Sequence, residues 1–220
     1  MRLLFSAVLT VVMSGCAGIS KEECLYADWR AIGYEDGSAG KSASAISSRR
    51  AACAKKAGVA VDMAEYTAGR ESGLRNFCRP SNGYALGANG GRYYGVCVDA
   101  EESGLLAAFE TGRQLFGLQQ AVASYERQIV AAEKELSYTQ DHIASVQIAL
   151  VSPETPMVDR PALLLELKDL DREKDDIEIA LVALHNALIN ADEDLAAFRD
   201  HLALNGPIPR GVHEPSSARY

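Results

Sequence analysis

Two runs of apolar residues at heptad spacing, parted by a proline-rich break, constrain this chain more than any other feature. Leu115, Val122, Ile129, Leu136, Ile143 and Leu150 recur at every seventh position, with Leu118, Tyr125, Ala132, Thr139 and Val146 interleaved. Pro153 and Pro156 then interrupt, and Asp159 with Pro161 carries the signature of a new helix start. A second seam follows through Leu167, Lys174, Leu181, Leu188, Leu195 and Leu202, interleaved with Leu163, Leu170, Ile177, Leu184, Ala191 and Phe198. A stripe of this period buries itself only against another helix. A short connection between two such helices folds them back on each other.

The pattern therefore predicts an antiparallel coiled-coil hairpin over 103–204, with its turn at about 151–160 and a length of about 60 Å. Its register follows if Leu150 faces Leu163. The layers are then Val146/Leu167, Ile143/Leu170, Thr139/Lys174, Leu136/Ile177, Ala132/Leu181, Ile129/Leu184, Tyr125/Leu188, Val122/Ala191, Leu118/Leu195 and Leu115/Phe198. In this register the one charged seam residue, Lys174, meets the hydroxyl of Thr139, and each alanine meets a longer side chain. Phe116, Tyr138, Ile148, Leu164, Ile179 and Ile189 fall off the seam and are available for self-association or for packing on the rest of the chain. The acidic stretch Asp169–Glu178 reads as a solvated helix face with i,i+4 ion pairs. His142, His185 and His201 are scattered, without the i,i+4 spacing of a metal site.

The opposite end carries an address. Arg2 precedes an apolar run from Leu3 to Met13, the length of a signal h-region and too short to span a bilayer. Met13-Ser14-Gly15-Cys16 resembles the lipobox of bacterial lipoproteins. This predicts a signal peptide over 1–15 and acyl chains (diacylglycerol and palmitate) on Cys16, which together anchor firmly. Ala17 favours the outer membrane over the inner, with the protein facing the periplasm. The tail, 205–220, is polar and proline-rich and is expected to be disordered.

The remaining cysteines, Cys24, Cys53, Cys78 and Cys97, lie in residues 16–102, an expected cysteine- and glycine-rich head. Their spacing is too wide for a zinc site, so in an oxidising compartment they read as two disulfides. Four cysteines allow three pairings; the expected one is Cys24–Cys53 with Cys78–Cys97. Ser20 to Glu23 forms a capping box opening a helix that places Leu25, Trp29 and Ile32 on one face. Gly33, Gly37 and Gly40 are expected to break it. A second helix is expected over about 44–56, stopped by Gly58, and a third from Asp62 through Phe77, ended by Pro80. Residues 80–97 carry many glycines and read as loop.

An aromatic residue followed three places on by glycine recurs at Tyr34/Gly37, Tyr66/Gly69, Tyr84/Gly87 and Phe109/Gly112. The simplest reading is a ring lying over a glycine one turn away. The alternative is an aromatic groove, with Trp29, Tyr66, Arg70, Arg79, Tyr84 and Arg92 as candidate ligand-binding residues and the arginines gripping a carboxylate or phosphate, as on peptidoglycan stems or lipid headgroups.

Trp29, Gly33-Tyr34-x-Asp36-Gly37-x-x-Gly40, Cys53, Tyr66-x-x-Gly69-Arg70-x-x-Gly73-Leu74, Cys78-x-Pro80-x-Asn82-Gly83-Tyr84-x-x-Gly87 and Tyr94-x-x-Cys97 together resemble a family of small bacterial envelope lipoproteins catalogued as a domain of unknown function. The resemblance covers roughly residues 20–120. It implies a disulfide-bonded domain and no particular activity.

The fold class expected is mainly α: a disulfide-stapled, loop-rich head and a long helical hairpin. No nucleotide fingerprint, zincin motif or nucleophile elbow occurs, and the head lacks histidine. Asp36, Glu65 and Glu71 are its conceivable acid/base residues. No enzyme activity and no cofactor are expected. The head holds 11 basic and 11 acidic side chains from Ala17 to Ser103, and the hairpin 8 and 18 from Gly104 to Leu204, net −10. No nucleic-acid partner is expected. The expected function is a lipid-anchored structural or interaction module, joined by an envelope protein partner or by self-association through the hairpin. The alternative is a binder of a cell-wall ligand through the head.

Overall fold

The structure, a computed structural model, describes residues 19–207. The leader, Cys16 and the tail beyond Pro207 lie outside the described residues. Seven α-helices occur in order among the described residues: α1 Lys21–Tyr26, α2 Trp29–Ser38, α3 Ile46–Ala57, α4 Met63–Phe77, α5 Pro80–Ala88, α6 Asp99–Val151 and α7 Arg160–Asn205. A 3₁₀ turn, Ala43–Ala45, precedes α3. None of the described helices is long and apolar enough to cross a membrane. Two compact units result. One combines the chain up to Arg79 with Tyr93–Glu102, and the other combines Pro80–Arg92 with the chain from Ser103 on.

Local signals set most helix ends. The Ser20 hydroxyl accepts from the Glu23 amide at 3.0 Å, and the Glu23 carboxylate accepts from the Ser20 amide at 2.6 Å, closing the capping box. Asp62 accepts from the amides of Ala64 and Glu65 at the start of α4. Gly58 ends α3 in the left-handed conformation. The expected disulfides are those present, Cys24–Cys53 and Cys78–Cys97. The first bridge ties α1 to α3 and belongs to a core with Trp29, Ile46, Val61 and Tyr66. Closing a loop of this length stabilises by about 3 kcal/mol.

Three expectations for the head are corrected. The first helix is two helices, because Asp28 caps a new one by accepting from the Ala31 amide at 2.9 Å. Leu25 consequently stays half exposed while Trp29 is buried. Gly33 and Gly37 do not break α2 but lie within it, and the helix ends just before Gly40. Residues 80–88 form α5, with Pro80 at its first turn, where a missing amide hydrogen costs nothing.

The glycines sit where two helices touch backbone to backbone. A Cβ on Gly33 would lie 2.1 Å from the Tyr66 carbonyl oxygen, and one on Gly37 would lie 2.2 Å from that of Arg70. Reciprocally, Gly69 faces the Arg30 carbonyl and Gly73 that of Tyr34. Helices α2 and α4 thus cross at a distance no side chain permits. The aromatic-over-glycine reading is corrected accordingly: the tyrosine of each motif contributes its carbonyl, not its ring.

The second unit repeats the arrangement with α5 and the start of α6. Gly83 faces the Leu105 carbonyl, Gly87 that of Phe109, and Gly112 that of Tyr84, each at 2.2 Å from a built Cβ. Both first helices read Gly-Tyr-x-x-Gly-x-x-Gly, at 33–40 and 83–90. Both end alike: Lys41 and Gly91 donate to the carbonyls of Asp36 and Leu86, and Gly40 and Gly90 donate to those of Gly37 and Gly87. Gly40 and Gly90 have φ of 64° and 68°, and each lies under a phenyl ring, Phe77 or Phe116. Phe116, available for self-association or for packing on the rest of the chain, takes the second use here.

The hairpin follows its heptads. Ile143, Val146 and Leu170 form a buried cluster with Leu150, Leu163 and Leu167, both members of each of the three layers nearest the turn. Ile129, Ile177, Ala191 and Leu195 are also buried. One layer is corrected. Thr139, only 1 % exposed, donates to the Glu173 carboxylate at 3.2 Å, while the Lys174 ammonium turns outward to Asp175 and Glu178. Burying an ammonium against one hydroxyl leaves its charge uncompensated, and the outward rotamer avoids that cost. Cysteines replacing Ile129 and Leu184 are expected to crosslink within one chain; closure only at a pair displaced by a heptad would refute the register.

Candidate functional site

The most concentrated chemistry in the described residues surrounds Asp36. The residue lies on the face of α2 that carries Gly33, Gly37 and the close crossing, so its side chain is carried inward and is 1 % exposed. An isolated carboxylate there would be strongly disfavoured. It is instead paired from three directions. Lys41 Nζ donates to Oδ1 at 2.9 Å, Arg49 donates to Oδ2 at 2.8 Å, and the Tyr66 hydroxyl donates to Oδ2 at 3.1 Å. The donors come from the loop after α2, from α3 and from α4. One carboxylate therefore pins the α3 segment onto the α2–α4 pair.

Burial alone would raise the Asp36 carboxyl, but the Lys41 hydrogen bond, the Arg49 and Lys41 charges and the Tyr66 hydroxyl outweigh it and hold the group below the usual carboxylate range. Burial and the adjacent Asp36 charge push the Tyr66 phenol upward. Asp36 is thus ionised with its oxygens occupied, and Tyr66 is protonated and donating. Such a pair neither accepts nor releases a proton near neutrality, and its chemistry is that of a tether.

The equivalent positions in the second glycine-crossed pair are Leu86 and Leu105. That pair has no helix inserted between its two members; its connection, residues 89–98, stands where the first pair has residues 39–62 with α3. The polar node occurs where there is an extra helix to hold.

The candidate ligand-binding residues divide. Trp29 and Tyr66 lie together in the buried core. Arg70 donates to the Lys41 carbonyl at 2.9 Å and so joins the margin of the Asp36 node. Arg79 donates to the Asn76 side chain, which in turn reaches the Tyr34 hydroxyl. Tyr84 and Arg92 belong to the second unit, with Tyr84 half-buried and Arg92 exposed. Glu65 pairs with Arg30 at 3.5 Å on the surface, away from any partner role with Asp36. Among the described residues no three His, Cys, Asp or Glu side chains are grouped to hold a metal ion. Sequence reasoning missed Lys41 and Arg49. The available signal was an aspartate sharing a helical face with three glycines, a position that must be buried and therefore paired.

Residues 28–114 match the model of a family described as protein of unknown function, DUF2799. The matched span runs from the cap of α2 to just beyond Gly112, and so takes in both glycine-crossed helix pairs. No curated protein and no solved structure matches the chain.

Proposed function

We propose that the chain is a lipid-anchored envelope protein facing the periplasm, tethered through Cys16 at the outer membrane, and that it works as a non-catalytic interaction module. The leader and lipobox support the anchor, and two disulfides suit an oxidising compartment. The observation that carries the interaction role is on the hairpin. Its seam is closed by apolar layers, yet Tyr138, Ile148, Leu164, Ile179 and Ile189 stand outside it, each more than half exposed. We read the apolar groups left exposed along the two long helices as the contact surface. The wall-ligand alternative has less support, because the rings of Trp29 and Tyr66 are spent on core packing.

Photo-crosslinking residues placed at 138, 148, 164, 179 and 189 in living cells test this role. Discrete protein adducts from at least one position are expected. Adducts from none of them would overturn it. Labelling with an alkyne-bearing palmitate analogue, lost on Cys16→Ser, is the expected result for the anchor.

A further inference from the structure

Between Glu178 and Asp192, α7 carries no Asp, Glu, Lys or Arg, although the rest of the helix is densely charged. In this window the helix is apolar on two opposite faces. Leu181, Leu184 and Leu188 fill the seam. Ile179, Val182 and Ile189 occupy the back, with Ala183 and Asn186 between them, all exposed. His185, Asn186 and Asn190 are polar and exposed in the same window, so what needs a cover is the apolar row of the back face alone. On the back face Ile179, Val182 and Ile189 fall at i, i+3 and i+10, with the polar Asn186 at i+7, so three apolar anchors lie on one helix-wide row of the kind on which an amphipathic helix seats.

Its ends name the occupant. Asp175, Asp176 and Glu178 close the stripe at one end, and Asp192, Glu193 and Asp194 at the other; all six are exposed. Lys174 offsets part of the first group, pairing with Asp175 and Glu178. No base within a turn offsets the second group. A second copy of α7 would bring acid against acid. Laid antiparallel, it sets Asp175 and Asp176 against Glu193 and Asp192; laid parallel, it sets each group against itself. We infer that the back of α7 from Ile179 to Ile189 is the seat of a helix from another protein, one whose apolar stripe is bracketed at both ends by lysine or arginine. This rests on the interaction role above and names the chemistry of the partner.

The test uses the full chain in mild detergent and two labelled helical peptides. Both carry leucines at the stripe spacing; one is bracketed by lysine and arginine at both ends, the other by glutamate. Fluorescence anisotropy should show the basic peptide binding at least about tenfold more tightly than the acidic one, a preference that shrinks as salt rises. The triple variant Ile179→Ser, Val182→Ser, Ile189→Ser should lose that binding while keeping its helical circular dichroism, since all three side chains lie outside the seam. Equal affinity for both peptides would overturn the inference, as would binding that survives the triple variant. Sedimentation showing a dimer of the full chain that the triple variant dissolves would likewise overturn it in favour of self-pairing. In-cell adducts from 138 or 148 with none from 179 or 189 would leave the interaction role standing and remove this seat alone.

Discussion

Gly37→Ala is expected to destabilise the first unit by about 3 kcal/mol or more, whereas Gly117→Ala, the same change elsewhere, should be neutral or stabilising by about 0.5–1 kcal/mol. The new methyl on Gly37 would lie 2.2 Å from the Arg70 carbonyl oxygen and 3.0 Å from the Leu74 amide nitrogen. Neither atom belongs to a side chain that can turn away, so the helices must separate. Separation would also pull Asp36 from Tyr66 and loosen the reciprocal contacts of Gly69 and Gly73. At Gly117 nothing lies within 4 Å, and the residue is in the middle of α6, so alanine only gains helix propensity. Gly87→Ala, facing the Phe109 carbonyl, should act on the second unit as Gly37→Ala acts on the first. Thermal melts followed by circular dichroism measure all three. A Gly37→Ala melt that matches Gly117→Ala would refute the close crossing.

Asp36→Ala is expected to cost about 2–3 kcal/mol, because removing the acid leaves the buried Tyr66 hydroxyl without its acceptor and takes two charge-assisted bonds from Arg49 and Lys41. The double change Asp36→Leu with Tyr66→Leu should cost less than the sum of its single changes. It installs the pair of residues that the chain already uses at the equivalent crossing, Leu86 and Leu105, and the half-exposed cations can turn to water. A denaturant-based double-mutant cycle reads the coupling, and strict additivity would refute a shared node. The pH dependence follows from the same contacts. The folded-state carboxyl is depressed, so its contribution is present above the unfolded value near 3.8 and fades as pH falls through the lower folded value. The Tyr66 phenol is raised, so its contribution is present below about 10 and fades as pH climbs through the higher folded value. Across the neutral range the node should leave stability flat, and Asp36→Leu should remove the acid-side loss that it causes.

Much of this architecture was legible in the residues themselves. Ser20 and Glu23, Asp62 and Gly58 mark helix ends through bonds made within a few positions, which neighbours in sequence are enough to specify. The heptads through Leu115 and Leu167 announced the hairpin because a period near 3.5 has one use, and the proline break told the helices to reverse. Four cysteines in one half of the chain, beside a leader, read as two bridges.

The misreadings of the glycines share one cause. Gly33 and Gly37 look like helix breakers because a lone helix gains nothing from glycine. In α2 they are favoured because α4 lies against them, a partner some thirty residues away that no local window contains. The same holds for residues 80–88, whose glycines read locally as loop but which form a helix because Leu105 and Phe109 supply the surface it packs on. Register sets Thr139 opposite Lys174, but which of two neighbouring side chains turns inward depends on desolvation, and the carboxylate of Glu173 accepts from the buried hydroxyl while the ammonium turns outward.

Sequence alone determined the helical class, the hairpin and its seam, the helix caps and the presence of two bridges, since each is written in the spacing of residues close along the chain. Tertiary structure decided that one glycine-crossed pair occurs twice, that Asp36 is buried and paired with Lys41, Arg49 and Tyr66, and that the back of α7 is left open. Each of these depends on what long-range packing brings near: the glycines recur at i, i+4 along α2, α4 and α5, but only the facing helix makes them contacts rather than breaks.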